Sequence, residues 1–267
     1  MQRLALDHIT AVDSDPVTLA EEARVAGCDG ICLFMQPMDV LPLMPRFEIY
    51  TDLSARRDLK LRMDDLGVAL DVAYPFTLAG RTNVEDFKVA MECAAELGAF
   101  VLNALIYDRD EARRLDTFGA FCELAAGFEH RVGVEFYPPS QIGSLAAALS
   151  LVQAIGRPGR VGINVDLLHL MRAGETIADL AAAPPGTVLY GQIADGPAER
   201  PGDLDFEASS QRLRAGEGVF DIAGFVKALP PGCPISVEIP RNDAVASGVP
   251  RRERVALAVG SVRRALA

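Results

Sequence analysis

Four side chains that carry oxygen end apolar runs in the second half of the chain. They are Glu135 in "GVEFYP", Asp166 in "NVDLLHL", Gln192 in "YGQIAD" and Glu238 in "SVEIP". A carboxylate delivered into an apolar run is costly unless something pairs with it. Three that converge would also repel one another. A divalent cation offsets both costs, and oxygen donors suit Mg²⁺ or Mn²⁺ better than a softer metal. Such an ion polarises a substrate carbonyl and an adjacent hydroxyl, and stabilises the enolate or enediolate left when the α-proton departs. Glu135, Glu238 or His169, three residues past Asp166, could take that proton. Its return to the neighbouring carbon or the opposite face is isomerisation or epimerisation. Loss of a β-hydroxyl instead is dehydration, and the residues do not choose between them. Taken singly, each acid is more often a salt-bridge partner or a rim residue; the set of four is what points to chemistry.

Other candidates surround this set. His8 follows the first apolar run and either lines a pocket or packs in a core. Arg212 and Glu217 fall in "QRLRAGEG", inside the polar stretch 196–219, which reads as a loop over a pocket. Arg212 there would face an anionic or polar part of a substrate. His130 precedes its strand and reads as structural.

These residues need elements to hold them. Eight short β-type runs occupy 3–10, 30–35, 68–76, 99–107, 131–138, 160–166, 187–195 and 234–240. Helical patterns alternate with them, at 15–27, 55–67, 84–98, 110–127, 144–156, 176–184, 221–230 and 250–266. Asp15 and Pro16 form a helix start. Gly27, Gly67, Gly98 and Gly156 sit where helices stop. Strict alternation implies parallel strands with right-handed crossovers. Eight units predict a single-domain (β/α)₈ TIM barrel over 1–267, whose catalytic groups gather at the C-terminal strand ends. An open doubly wound sheet usually shows a glycine-rich loop after its first strand, and "DHITAVDSDP" has none.

Composition narrows the partners. Net charge is −11, which disfavours a nucleic-acid backbone and an anionic membrane surface. No leader or membrane-spanning run is read, and five cysteines without a C-x-x-C pair fit a reduced cytoplasmic setting. A small polyhydroxylated molecule is the expected partner; a homo-oligomer is compatible with the sequence.

The segments "GVEFYP", "NVDLLHL", "GQIADGP", "RAGEGVFDIAGFVKAL" and "PISVEIP" together resemble the xylose-isomerase-like TIM-barrel superfamily. It includes sugar isomerases and epimerases, inosose and 3-dehydroshikimate dehydratases, and an endonuclease type. The resemblance implies a divalent metal held by Glu135, Asp166, Gln192 and Glu238, with His169 contacting substrate or moving protons. It implies an isomerase or epimerase acting on a polyhydroxylated carbonyl compound. The epimerases usually carry His where Gln192 stands, whereas "GQIADGP" and the Asp166-to-His169 spacing look more like the dehydratases. A metal-dependent dehydratase is therefore the alternative, and a non-catalytic metal- or sugar-binding barrel a further one. The multi-zinc endonuclease type needs many histidines, and this chain has three.

Overall fold

A computed structural model describes residues 3–267; residues 1 and 2 of the expected 1–267 domain lie outside the described residues. Eight parallel strands close into a barrel in sequence order. They are β1 (Leu4–Asp7), β2 (Gly30–Phe34), β3 (Ala69–Leu78), β4 (Val101–Ile106), β5 (Arg131–Glu135), β6 (Val161–Asp166), β7 (Val188–Ile193) and β8 (Ile235–Val237). The ring shuts where Leu4 of β1 pairs with Ile235 of β8. All eight strands fall inside the runs that the apolar patterning marks, apart from the last two residues of β3. Helices between them cover the outside, and the main apolar core lies in that layer. Burial of this strand–helix interface, at about 25 cal/mol per Å² of apolar surface, is the main favourable contribution to folding.

The predicted punctuation is observed. Asp15 caps the helix Pro16–Val25 by accepting from the Thr18 amide. Gly67, Gly98 and Gly156 end helices with φ of 63°, 78° and 71°, the left-handed region that a side chain resists.

Several boundaries differ from the sequence reading, each for a local reason. β1 stops at Asp7 because its side chain accepts from the Ile9 amide and starts a 3-10 turn over His8–Ala11. Asp166 does the same at the end of β6. It accepts from the Leu168 amide and caps a short helix, Leu167–Arg172, that the sequence did not reveal. The stretch 196–219 is partly ordered by the helix Leu204–Ser210.

The barrel interior is polar along part of its length. Near one end, Arg3 pairs with Asp71, whose Oδ2 accepts from the Tyr190 hydroxyl at 3.4 Å. Tyr190 Oη lies 3.3 Å from Cys32 Sγ. Ala5, Val72, Val101 and Leu189 pack around this polar chain. At the other end, strand register sets the active face: Asp166 stands beside Gln192, Gln192 beside Ser236, and Glu135 beside Asn164. Asp166, Gln192 and Ser236, spread over seventy positions, therefore meet in one register row. Among the described residues, no helix is long and apolar enough to cross a membrane.

Candidate active site at the barrel mouth

Glu135 and Asp166 are the last residues of their strands, Gln192 is one residue from the end of β7, and Glu238 follows β8 directly. All four are buried. Their position at the C-terminal strand ends brings all but the fully buried Asp166 to a cavity of about 630 Å³, within the roughly 300–1,000 Å³ usual for small-molecule sites. Glu135, Gln192 and Glu238 line it, together with Asn103, His169 and Arg212.

The carboxylates are held individually. Asn103 donates to Glu135 Oε2 at 2.5 Å, and Asn164 donates in turn to Asn103 Oδ1 at 3.2 Å. Asp166 Oδ1 accepts from the Leu168 amide at 2.7 Å, and its Oδ2 from Arg212 Nη1 at 2.6 Å. Arg212 Nη2 also reaches Glu238 Oε1 at 3.3 Å. Gln192 donates through Nε2 to Asp7 Oδ2 at 3.4 Å, which leaves Gln192 Oε1 without a partner. Glu238 Oε2 has none either. Asp7 is fixed by the Tyr74 hydroxyl and the Ile9 amide.

Electrostatics sort these groups. Burial, then repulsion from Asp166, pushes Glu135 up from 4.5 to about 8, against the opposing Asn103 hydrogen bond. Burial likewise raises Glu238 well above the carboxylate range, although Arg212 opposes it. Burial would raise Asp166 too, but Arg212 and His169 hold it below its usual value. Asp7 rises to about 6 through burial. The cluster thus holds one carboxylate kept ionised by a neighbouring guanidinium and others that favour a proton while no cation faces them.

His169 rides on the short helix after β6. Its Nε2 lies 3.6 Å from both Glu135 Oε1 and Asp166 Oδ2. Glu135, Asp166 and His169 offer ligand atoms within 4.8 Å of one another, so the imidazole stands within reach of both acids. The Tyr137 ring packs against it, with centroids 4.8 Å apart. Burial pulls its pKa down to about 4, so the ring is neutral at pH 7.

The remaining candidates separate. Arg212 lines the cavity, but its guanidinium is taken up by Asp166, Glu238 and, through Nε, the Ala208 carbonyl at 2.8 Å. His8, expected to bind substrate, is fully buried outside the cavity lining. Its Nε2 donates to the Ser14 carbonyl at 3.0 Å and its Nδ1 accepts from the Phe34 amide at 3.3 Å. It ties β1 to β2. Glu217 also lies away from the cavity lining, paired with Arg214 at 2.6 Å and Arg241 at 3.4 Å. His130, read as structural, is a buried link to the Met91 carbonyl.

Sequence reasoning missed Asp7, Asn103 and Asp195. Asp7 closes β1, so the rule that found Glu135 would have found it; Asn103 sits inside β4, where the strand-end rule gives no signal. Asp195 follows β7, and its carboxylate accepts from four backbone amides: those of Gly196, Gly216, Gly218 and Phe220. It folds "RAGEGVF" into a fixed turn. A Cβ on Gly218 would come 2.2 Å from the Gly196 carbonyl oxygen and 2.3 Å from Asp195 Oδ1, which only glycine avoids.

The donor set fits a divalent cation. Two buried oxygens, on Gln192 and Glu238, lack partners, and buried polar atoms normally have one. Asp166 Oδ2 retains a lone pair beyond its Arg212 bond. One consequence is testable. A carboxylate must lose its proton to ligate, so metal affinity should rise with pH until Glu135 is ionised, near 8. In the metal-free protein the sign reverses: the raised pKa favours the fold fully below about 4.5, and this contribution is lost as pH rises from there to about 8. Calorimetric titration in buffers of different ionisation heat should show more than one proton released per ion near pH 6.5, from Glu135 and Glu238 together, with the Glu135 share fading above pH 8. Affinity that does not change with pH would remove Glu135 from the ligand set.

A closed (β/α)₈ barrel with buried carboxylates and an amide at its C-terminal mouth defines the class of protein to which this chain conforms. Residues 20–263 match the family model described as xylose isomerase-like TIM barrel, and the chain belongs to that family. No curated protein matches it. Among solved structures, the IolI protein with a bound zinc atom is 19% identical with a TM-score of 0.78, over 100% of this chain and 98% of that one. A probable 3-DHS dehydratase, AsbF from Bacillus anthracis, is 12% identical with a TM-score of 0.74, over 98% of each chain. D-psicose 3-epimerase, solved with D-fructose, is 14% identical with a TM-score of 0.71, over 100% of this chain and 99% of that one. At these identities the likeness is one of fold.

Proposed function

We propose that the protein is a divalent-metal-dependent isomerase or epimerase of a polyhydroxylated carbonyl compound. The observation that carries this reading is the pair of unpartnered buried oxygens, Gln192 Oε1 and Glu238 Oε2, on residues that line the same cavity as Glu135. These four residues would hold the ion, with His169 beside them. The oxygen-rich set favours Mg²⁺ or Mn²⁺. When bound, the ion supplies Lewis acidity to a carbonyl and its neighbouring hydroxyl.

The chain's own residues supply the proton chemistry. β5 and β8 stand three strands apart in the ring, so Glu135 and Glu238 approach the cavity from different sides. One can take the α-proton and the other return a proton to the opposite face. Asn103 keeps Glu135 Oε2 engaged, which directs Oε1 toward His169 and the cavity. The neutral imidazole of His169 can pass a proton between Glu135 and a substrate oxygen. Asp7 engages the Gln192 amide nitrogen, which leaves the amide oxygen as the free donor to an ion.

Gln192 supports a second reading, the metal-dependent dehydratase, because its "GQIADGP" setting resembles that type. One experiment separates the two. Chelator-treated protein reloaded with Mn²⁺ or Mg²⁺ is incubated with neutral ketoses and inososes in D₂O, and products are weighed by mass spectrometry. Isomerisation or epimerisation should introduce deuterium without loss of water; dehydration should remove one water. Neither change with any metal would leave a binding protein.

A further inference from the structure

The cavity has one wall that the cluster does not use. Phe34, Met38, Val40 and Leu41, from β2 and the loop after it, form this apolar face with Ile9. It is preformed, because Ile9 and Leu41 belong to a small core with Val12 and Met44 beneath the loop. Phe34 also packs edge-on against Tyr74 at 4.2 Å. Val40 is 78% exposed, more than any other large apolar side chain among the described residues. Phe206, on the helix Leu204–Ser210, borders the same cavity and is 56% exposed. Two such side chains left open to water within one cavity mark a surface with an apolar partner.

Charge in the cavity points the same way. Arg212 is the one cationic side chain among the described residues that line it, and Asp166 and Glu238 already take up its guanidinium. Asp203 and Asp205 stand at the rim. Asp203 accepts from the Phe206 amide, and Asp205 accepts from the Tyr137 hydroxyl. A bound dication and Arg212 would together bring three positive charges against the four carboxylates that line the cavity, those of Glu135, Glu238, Asp203 and Asp205, and the buried Asp166 that pairs with Arg212. The cavity remains acidic with its ion in place. A phosphate or carboxylate on the substrate would lose its water and meet no free cation.

We infer that the cavity selects an uncharged hydroxy-carbonyl compound with an apolar group at its far end. The carbonyl end lies toward Glu135, Gln192 and Glu238, and the apolar group lies against Phe34, Met38, Val40 and Leu41. Phosphorylated and carboxylated analogues are rejected. This rests on the function proposed above, but it is tested by binding rather than turnover.

The probes are a free 2-ketohexose, its 6-deoxy analogue and its 6-phosphate, each titrated calorimetrically into Mn²⁺-loaded protein. The deoxy sugar should bind about 3-fold or more tightly than the parent, because a methyl replaces a hydroxyl against the apolar wall. The phosphate should bind about 10-fold or more weakly. Val40→Lys places an ammonium on the exposed edge of that wall; it should shrink the phosphate penalty about 3- to 5-fold and reduce the deoxy advantage. A phosphate that binds as well as the parent, a deoxy sugar with no advantage, no binding by any probe, or unchanged discrimination in Val40→Lys would each overturn the inference. The expected order of binding without deuterium exchange would sink the catalytic reading alone. Turnover of a phosphorylated or carboxylated ketose would sink this inference and leave that reading standing.

Discussion

Replacing Arg212 with alanine is expected to cost the metal-free protein about 3–5 kcal/mol of stability, the usual penalty for removing one partner of a buried ion pair. The guanidinium is 2% exposed and faces Asp166 at 0%. Its loss leaves Asp166 charged with no counterion and strands the Ala208 carbonyl. A divalent cation should restore part of the loss, because it binds the same carboxylates and binds only the folded state. Urea unfolding with chelator and with added Mn²⁺ measures both effects, and the metal-induced gain should be larger in the variant than in the parent. A loss below about 1 kcal/mol without metal, the level of a surface pair, would show that Arg212 is not the resident counter-charge.

Glu238→Gln should act in the opposite sense on stability and on function. Burial holds the Glu238 carboxyl well above its usual range, so the ionised form is unfavourable in the metal-free fold. A neutral amide of the same shape should leave the metal-free protein as stable as before, or more so by about 1 kcal/mol, the trade-off expected of a functional site. Metal affinity should fall on the order of 10²-fold or more, beyond the 10- to 100-fold typical of losing a mere supporting partner. Turnover should fall at least as far. Equilibrium dialysis with Mn²⁺ and an unfolding curve on the same preparation read both quantities. Undiminished binding would take Glu238 out of the site.

How far the sequence foretold this site depended on the range of each interaction. Strand ends and their acids were legible because each lies within a short apolar run with a polar residue at its close. The helix stops at Gly67, Gly98 and Gly156 were legible because a left-handed residue is a local requirement. The partners were not. Arg212 reaches Asp166 across 46 positions and Gln192 reaches Asp7 across 185, and only strand register around the ring brings them together. Arg212 in a polar, glycine-containing stretch looked like a surface group poised for substrate; the barrel turned it inward. His8 and Glu217 erred in the other direction. Their residue types suggested chemistry, while their neighbours at Ser14, Phe34, Arg214 and Arg241 satisfy them away from the cavity.

The Asp195 turn bears on how this rim can vary. Its four bonds go to main-chain amides, so the path that carries the chain past Arg212 is set without the side chain at 219, while Glu217 adds one bond to the Arg214 amide. The exposed position 219 is therefore free to be rewritten by mutation without moving the guanidinium, provided that Asp195, Gly216 and Gly218 stay. The barrel mouth is thereby modular: its outer lettering can drift while the inner charge arrangement is inherited intact.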